Sequence, residues 1–186
     1  VGFRVNPILK FKPGHRLFNK KFGGGAINDI GCYPISLVVL IARLLKNQVN
    51  EIPYKITDVY KKNNFRGTDD EGSLKIEFHK LFDAELKISI KEVLAKPTII
   101  YGTKGKMIIP NPWLPNKNTS IEVSTSEKNY IKKISSKYSV YANTIKAASD
   151  AIQQNNNYCQ FPNMTWEDSI ISSKILTEWK NYLYKV

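Results

Sequence analysis

The hydrophobic period changes along this chain from that of a helix to that of a sheet and back, which restricts the fold more than any other feature. From Ala26 onward Ile27, Ile30, Leu37, Val38, Ile41, Leu44 and Leu45 recur at three- and four-residue steps, the spacing of a helix. Apolar positions reach nearly all the way round, which predicts a buried helix, and Pro34 inside it predicts a kink near Tyr33. The pattern then alternates. Tyr54, Ile56 and Val59 suggest one strand; Leu74, Ile76 and Phe78 alternate with Lys75 and Glu77; Leu86, Ile88 and Ile90 alternate with Lys87 and Ser89. Further strands are expected at Thr98 to Tyr101, Lys106 to Ile109 and Ser120 to Val123, with Gly102 to Gly105 as a tight hairpin. Helical spacing returns at Tyr141, Ile145, Ala148 and Ile152, closed by the polar run Gln153 to Asn157. It returns again after Thr165 at Ile171, Ile175, Trp179 and Leu183.

A helix, a run of strands and two helices, in that order, predict an α+β fold: a mostly antiparallel open sheet with helices packed on one face. With 186 residues, 42% of them hydrophobic, the chain can bury about 70% of its unfolded surface, so a single domain over 1–186 is expected. Val1 to Val5 read as the tail of a strand and Asn6 to Phe22, with Pro7, Pro13 and Gly14, as an irregular connection. The chain opens on Val1 with no basic stretch leading into an apolar run, which reads as a trimmed fragment with more sequence upstream.

Composition narrows the function classes. The longest uncharged apolar run, Cys32 to Ala42, is well short of the roughly 20 residues that span a bilayer, so no membrane role is expected. Cys32 and Cys159 stand far apart and outside any Cys/His cluster, which argues against a disulfide scaffold or a metal site and for a reducing cytoplasm. The net charge of +12 would attract phosphate backbones. Its lysines are spread along the chain, however, and the densest stretch, Lys10 to Lys21, is broken by Phe11, Pro13, Gly14, Leu17 and Phe18. No nucleic-acid-binding motif accompanies the charge, so it is read as a solvated surface and no nucleic-acid partner is expected.

The cluster most suggestive of chemistry is Gly23, Gly24 and Gly25 followed by Asp29 and Tyr33. Glycines before a helix let backbone come close to a ligand, and residues four apart share a helix face. A tyrosine serves as an acid or base only when a nearby cation lowers its pKa from about 10. By spacing alone, Asp29 reads as a helix-terminal or hydrogen-bonded structural residue and Tyr33 as a core aromatic with its hydroxyl satisfied.

The segment Arg16 to Ser36, Arg-Leu-Phe-Asn-Lys-Lys-Phe-Gly-Gly-Gly-Ala-Ile-Asn-Asp-Ile-Gly-Cys-Tyr-Pro-Ile-Ser, resembles the opening of the second domain's first helix in the Gfo/Idh/MocA oxidoreductases. The likeness is to the branch containing glucose-fructose oxidoreductase and dimeric dihydrodiol dehydrogenase. Gly102 to Trp113 resembles the family's later hairpin, and Phe161 to Ser169 the entry to its final helix. The resemblance implies the C-terminal, substrate-side domain of a two-domain NAD(P)-dependent dehydrogenase. Tyr33 would match the catalytic acid/base and Asp29 its carboxylate partner. Hydride would pass between a nicotinamide and the carbinol carbon of a sugar, polyol or cyclic diol. A homodimer through the open sheet face is also implied.

The family's cofactor machinery has no counterpart in these residues. No Gly-x-Gly-x-x-Gly lies between a strand and a helix, and the Lys of the family's Glu-Lys-Pro motif is absent. NAD or NADP is therefore expected only in a full-length protein with a Rossmann domain, and the fragment alone is expected to be inactive. Trp113 is a candidate for the substrate pocket and equally for packing. Arg16 is a candidate for an anionic substrate group or a surface salt bridge. His79 is expected on the surface, His15 has no partner in sequence, and Cys32 reads as a small buried hydrophobe. The competing readings are a non-catalytic dimerisation or ligand-binding domain of the same fold, and a basic nucleic-acid module.

Overall fold

The computed structural model describes residues 15–46, 52–95 and 97–182. The strand tail expected at 1–5, the first part of the irregular connection and Leu183 lie outside them. The described residues form two compact units. One comprises the residues up to Leu94 together with those from Trp166 on, and the other is Ala95–Thr165.

The first unit is built on three strands, β1 (Tyr54–Asn63), β2 (Asp69–Phe78) and β3 (Phe82–Ser89), paired antiparallel in the order β1-β2-β3. Register places Leu74 opposite both Val59 and Leu86, and Phe78 opposite Tyr54 and Phe82, so apolar side chains line up across one face. Along β2 the residues Leu74, Ile76 and Phe78 are buried while Lys75 and Glu77 are exposed. This is the alternation of a half-covered sheet.

Three helices belong to this unit: α1 (Ala26–Ile30), α2 (Cys32–Lys46) and α4 (Trp166–Tyr182), the last numbered after a helix of the second unit. From α2 come Ile35, Val38, Val39 and Ala42, and from α4 Ile175 and Trp179, all within the buried core. Trp179 has no exposed surface. The ion pair of Arg43 on α2 with Asp168 on α4 joins these helices, both side chains being about nine-tenths buried.

The kink expected near Tyr33 is present as a break at Gly31, where the segment Lys20–Ile30 and α2 meet at 45°. Pro34 explains the position: it falls in the first turn of α2, where its missing N–H leaves the Ile30 carbonyl without the usual helical donor, so the ladder breaks just upstream. The burial expected nearly all round this helix is not found: Leu44 and Leu45 are exposed and Leu37, Leu40 and Ile41 half-buried. Among the described residues no single helix is long and apolar enough to cross a membrane.

The second unit holds β4 (Thr98–Gly102), β5 (Gly105–Ile109), β6 (Asn118–Thr125) and β7 (Asn129–Ser135), a four-stranded antiparallel sheet in sequence order, and then α3 (Val140–Gln153). The expected hairpin is present, with Gly102 paired to Gly105. Strand β7 was not anticipated: in Tyr130-Ile-Lys-Lys-Ile134 both faces mix apolar and lysine side chains, so no period of two shows. The ladder sets Ile99 opposite Ile108, Ile108 opposite Glu122 and Glu122 opposite Ile131, which puts these four on one face. Ile99 and Ile131 on that face are exposed, as are Tyr141, Ile145 and Ile152 of α3. The whole is α+β with open antiparallel sheets, as expected, the strands being shared between two sheets.

Candidate active site

The glycine run is built into the protein's own packing. Two single 3-10 turns, Arg16–Phe18 and Lys20–Phe22, fold back on it: Gly24 donates its N–H to the Asn19 carbonyl and Gly25 donates to that of Leu17, each at 2.9 Å. A Cβ on Gly24 would stand 2.5 Å from the Arg16 carbonyl oxygen, closer than any side chain tolerates. Gly25 has φ +116°, and its missing Cβ leaves room for the Asp69 carboxylate.

Asp69, at the start of β2, accepts the Ile27 N–H at 2.7 Å and so caps the first turn of α1 from 42 residues away. Burial raises its carboxyl pKa above the ordinary aspartate value, against the opposing pull of the backbone donors and of Lys61. Asp69 carries no local signal of this role in the sequence. The Asp69-Asp70 pair after Gly67 marks a hairpin end, and nothing local connects it to the glycines.

The folded-back turn brings Arg16 to Asp29. The guanidinium lies 2.7 Å from the carboxylate, with the Arg16 side chain 66% exposed and that of Asp29 only 16%. Asp29 is held in place by its N–H bond to the Gly25 carbonyl. Helical bonds run up to and on from Gly31, from the Gly31 N–H to Ile27 and from the Ile35 N–H to Gly31, so the four-residue step from Asp29 to Tyr33 crosses the bend. Tyr33 is 46% exposed and is not a core aromatic.

Cys32, expected to be buried, is exposed. Its thiol pKa is raised, first by partial desolvation and further by the negative charge of Asp29, which makes it a poor nucleophile. Trp113 lies in the second unit, half-buried, in the β5–β6 connection where the Asn111 amide donates to the Leu114 carbonyl at 2.8 Å. The structure therefore joins Arg16 to Asp29, with Tyr33 beyond the bend on the next helix, and Trp113 belongs to another unit. His79 is exposed, and the His15 ring sits 5.5 Å from that of Phe18.

The glycines present do not fit a dinucleotide seat. Such a seat needs free backbone N–H groups at a helix N-terminus. Here the N–H groups of Gly24, Gly25 and Ile27 are taken by Asn19, Leu17 and Asp69. Among the described residues no group of His, Cys, Asp or Glu is arranged to hold a metal ion.

No family model matches the chain. Two curated relatives do: the trans-1,2-dihydrobenzene-1,2-diol dehydrogenases of Xenopus tropicalis and Xenopus laevis, each 32% identical over 116 residues. The match takes in 62% of this chain and 32% of each relative, so the chain spans about a third of the length of these relatives. Among solved structures, the 3-ketoreductase KijD10 from Actinomadura kijaniata, in complex with NADP and TDP-benzene, superposes with a TM-score of 0.74 at 16% identity. That superposition covers 97% of this chain and 51% of KijD10. The chain is thus homologous to the dihydrodiol dehydrogenases of the Gfo/Idh/MocA family and has the fold of the C-terminal half of such oxidoreductases.

Proposed function

We propose that this chain is the substrate-side half of an NAD(P)-dependent oxidoreductase in which Tyr33 carries the reacting proton. The observation that supports this most directly is a half-exposed tyrosine four residues beyond a carboxylate that an arginine pairs with. Tyr33 gives or takes the hydroxyl proton of a sugar, polyol or cyclic diol as hydride leaves or arrives at the carbinol carbon. Asp29, fixed by Arg16 and the Gly25 carbonyl, orients the substrate hydroxyl or the phenol. Arg16 serves the substrate from the first unit, and Trp113 is the candidate substrate-binding residue of the second. NAD or NADP is held by a Rossmann half, since the glycines of this chain are occupied internally; KijD10 was crystallised with NADP.

The proposal extends to assembly and location. A homodimer forms through the face of the second sheet that carries Ile99, Ile108 and Ile131, and the protein works in the cytoplasm without nucleic-acid or membrane partners. The deciding experiment is Tyr33→Phe in the full-length protein: turnover should fall by about 100-fold or more while NADP affinity stays nearly constant. Unchanged turnover would refute the assignment, and so would dehydrogenase activity from these 186 residues alone.

A further inference from the structure

The hairpin between β1 and β2 forms one wall of a cleft of about 260 Å³ that contains none of Arg16, Asp29, Tyr33 or Trp113. Its lining includes Phe18, Lys62, Phe65, Arg66, Asp70 and Lys91. We propose that this cleft binds a small phosphorylated or otherwise dianionic metabolite through Lys62, Arg66 and Lys91, with Phe65 covering the ligand's apolar part. The reading is independent of the dehydrogenase assignment.

Charge is the first support. Among the described residues Lys62 and Arg66 make no ion pair with a carboxylate, and Lys91 reaches Glu71 only at 3.9 Å. Asp70 is the acidic lining residue; it is buried and accepts a hydrogen bond from the Asn64 amide at 2.8 Å. The lining thus carries three cations against one carboxylate that is already engaged. Lys20 adds a fourth positive group nearby, since a Cβ on Gly67 would stand 3.1 Å from its Nζ. Cations gathered round a concave surface attract an anion more strongly than the same charges spread over a convex one.

Preorganisation is the second support. Asn64 locks the hairpin: its amide donates to the Thr68 hydroxyl at 2.7 Å, its side-chain oxygen accepts the Arg66 N–H at 2.8 Å, and its carbonyl accepts the Gly67 N–H at 2.9 Å. Gly67 closes the turn at φ +76°. On this fixed turn Phe65 is 76% exposed, with the Arg66 guanidinium 5.3 Å from its ring centroid. A large aromatic held in water on an ordered turn exposes apolar surface that a ligand can cover, and its neighbouring guanidinium is presented in a set position for a bidentate anion. The cleft is slightly smaller than a typical drug-sized pocket, which suits a phosphate monoester of a small sugar and excludes a dinucleotide.

The test is titration of the isotope-labelled chain with inorganic phosphate, then with a hexose 6-phosphate and the same unphosphorylated hexose, following backbone amide resonances. Saturable shifts should appear at Phe65, Arg66 and Gly67, with the hexose phosphate tighter than phosphate and the plain hexose silent. Arg66→Ala and Lys62→Ala should each weaken binding about tenfold, as loss of one charge-assisted contact does. Lys132→Ala, on β7 outside the cleft, and Tyr33→Phe should leave it unchanged, which separates this site from general surface charge and from the proposed active site. The proposal is overturned by non-saturating shifts spread over all lysines, by equal weakening in Lys132→Ala, or by retained affinity in well-folded Arg66→Ala and Lys62→Ala.

Discussion

The Asp69 carboxylate accepts the Ile27 N–H at 2.7 Å while occupying the space where a Cβ of Gly25 would stand. One contact thus fastens the sheet to the helix that carries Asp29 and leads into Tyr33. Asp69→Ala removes the cap and should cost about 0.5–2 kcal/mol, the usual range for losing an N-terminal cap. Gly25→Ala meets both the positive φ and Asp69 Oδ1 at 2.2 Å, and should cost about 1–3 kcal/mol or more. The double variant should lose less than the sum, because the steric partner is gone. Denaturant unfolding of the four proteins closes the cycle, and simple additivity would show that the two residues act independently.

Asp69 also predicts a pH dependence. Burial raises its folded-state pKa above the unfolded value, so the native state holds this proton more tightly than the unfolded chain does. Its contribution to stability is fully present below the unfolded value near 4 and is lost as pH rises through the higher folded value. Asp69→Asn keeps an oxygen acceptor for Ile27 and cannot titrate. The wild type should therefore lose stability relative to Asp69→Asn as pH climbs through that window. A constant difference from pH 3 to 8 would place the titration elsewhere.

Much of the architecture was legible because it rests on side-chain period. Leu74, Ile76 and Phe78 mark β2 with the period of two, and Ile171, Ile175 and Trp179 mark α4, since each pattern repeats along a single segment. What was not legible depends on contacts distant in sequence or on patterns blurred by charge. Asp69 lies 42 residues from the helix it caps, and in β7 lysines share both faces with Tyr130, Ile131 and Ile134. Within the candidate site, glycines followed by Asp29 and Tyr33 could be read directly, whereas the role of Arg16 needed the folded-back turn that brings it to Asp29.

Arg16 tests whether that turn matters to chemistry. Its side chain is two-thirds exposed, and exposed ion pairs contribute about 0–1 kcal/mol, so Arg16→Ala should leave the unfolding midpoint almost unchanged. In the full-length enzyme the same change should lower kcat/KM about tenfold by freeing Asp29 to move. Arg16→Lys should restore part of the loss, because it keeps the charge without the forked geometry. Equal kcat/KM in all three proteins would reduce the pair to surface decoration.

The Arg43–Asp168 pair makes the opposite prediction, since both side chains are about nine-tenths buried. Removing one member leaves a charge inside the protein, and Asp168→Ala should cost about 3–5 kcal/mol. Replacing both, as Arg43→Met with Asp168→Leu, should recover most of that loss because neither charge then remains to be desolvated. Thermal and denaturant unfolding of the three variants measure this directly. A double variant as unstable as the single one would mean that the pair is needed to pack α2 against α4.

The proposed homodimer can be tested from the register of the second sheet. Ile99, Ile108 and Ile131 share one face with Glu122, and Ile99 and Ile131 are exposed on it. An assembly through this face would cover these exposed isoleucines, which share it with Lys106, Glu122 and Lys133. Because the Ile131 side chain already stands in water, Ile131→Lys should change the unfolding of the isolated chain by no more than about 0.5 kcal/mol. In an interface the same lysine would be forced out of water beside its own symmetry mate, and the dimer should dissociate. Sedimentation of wild type and variant over a range of concentrations separates these effects. A wild type that stays monomeric at every concentration sinks the dimer, and a variant that dimerises as tightly as wild type moves the interface off this face.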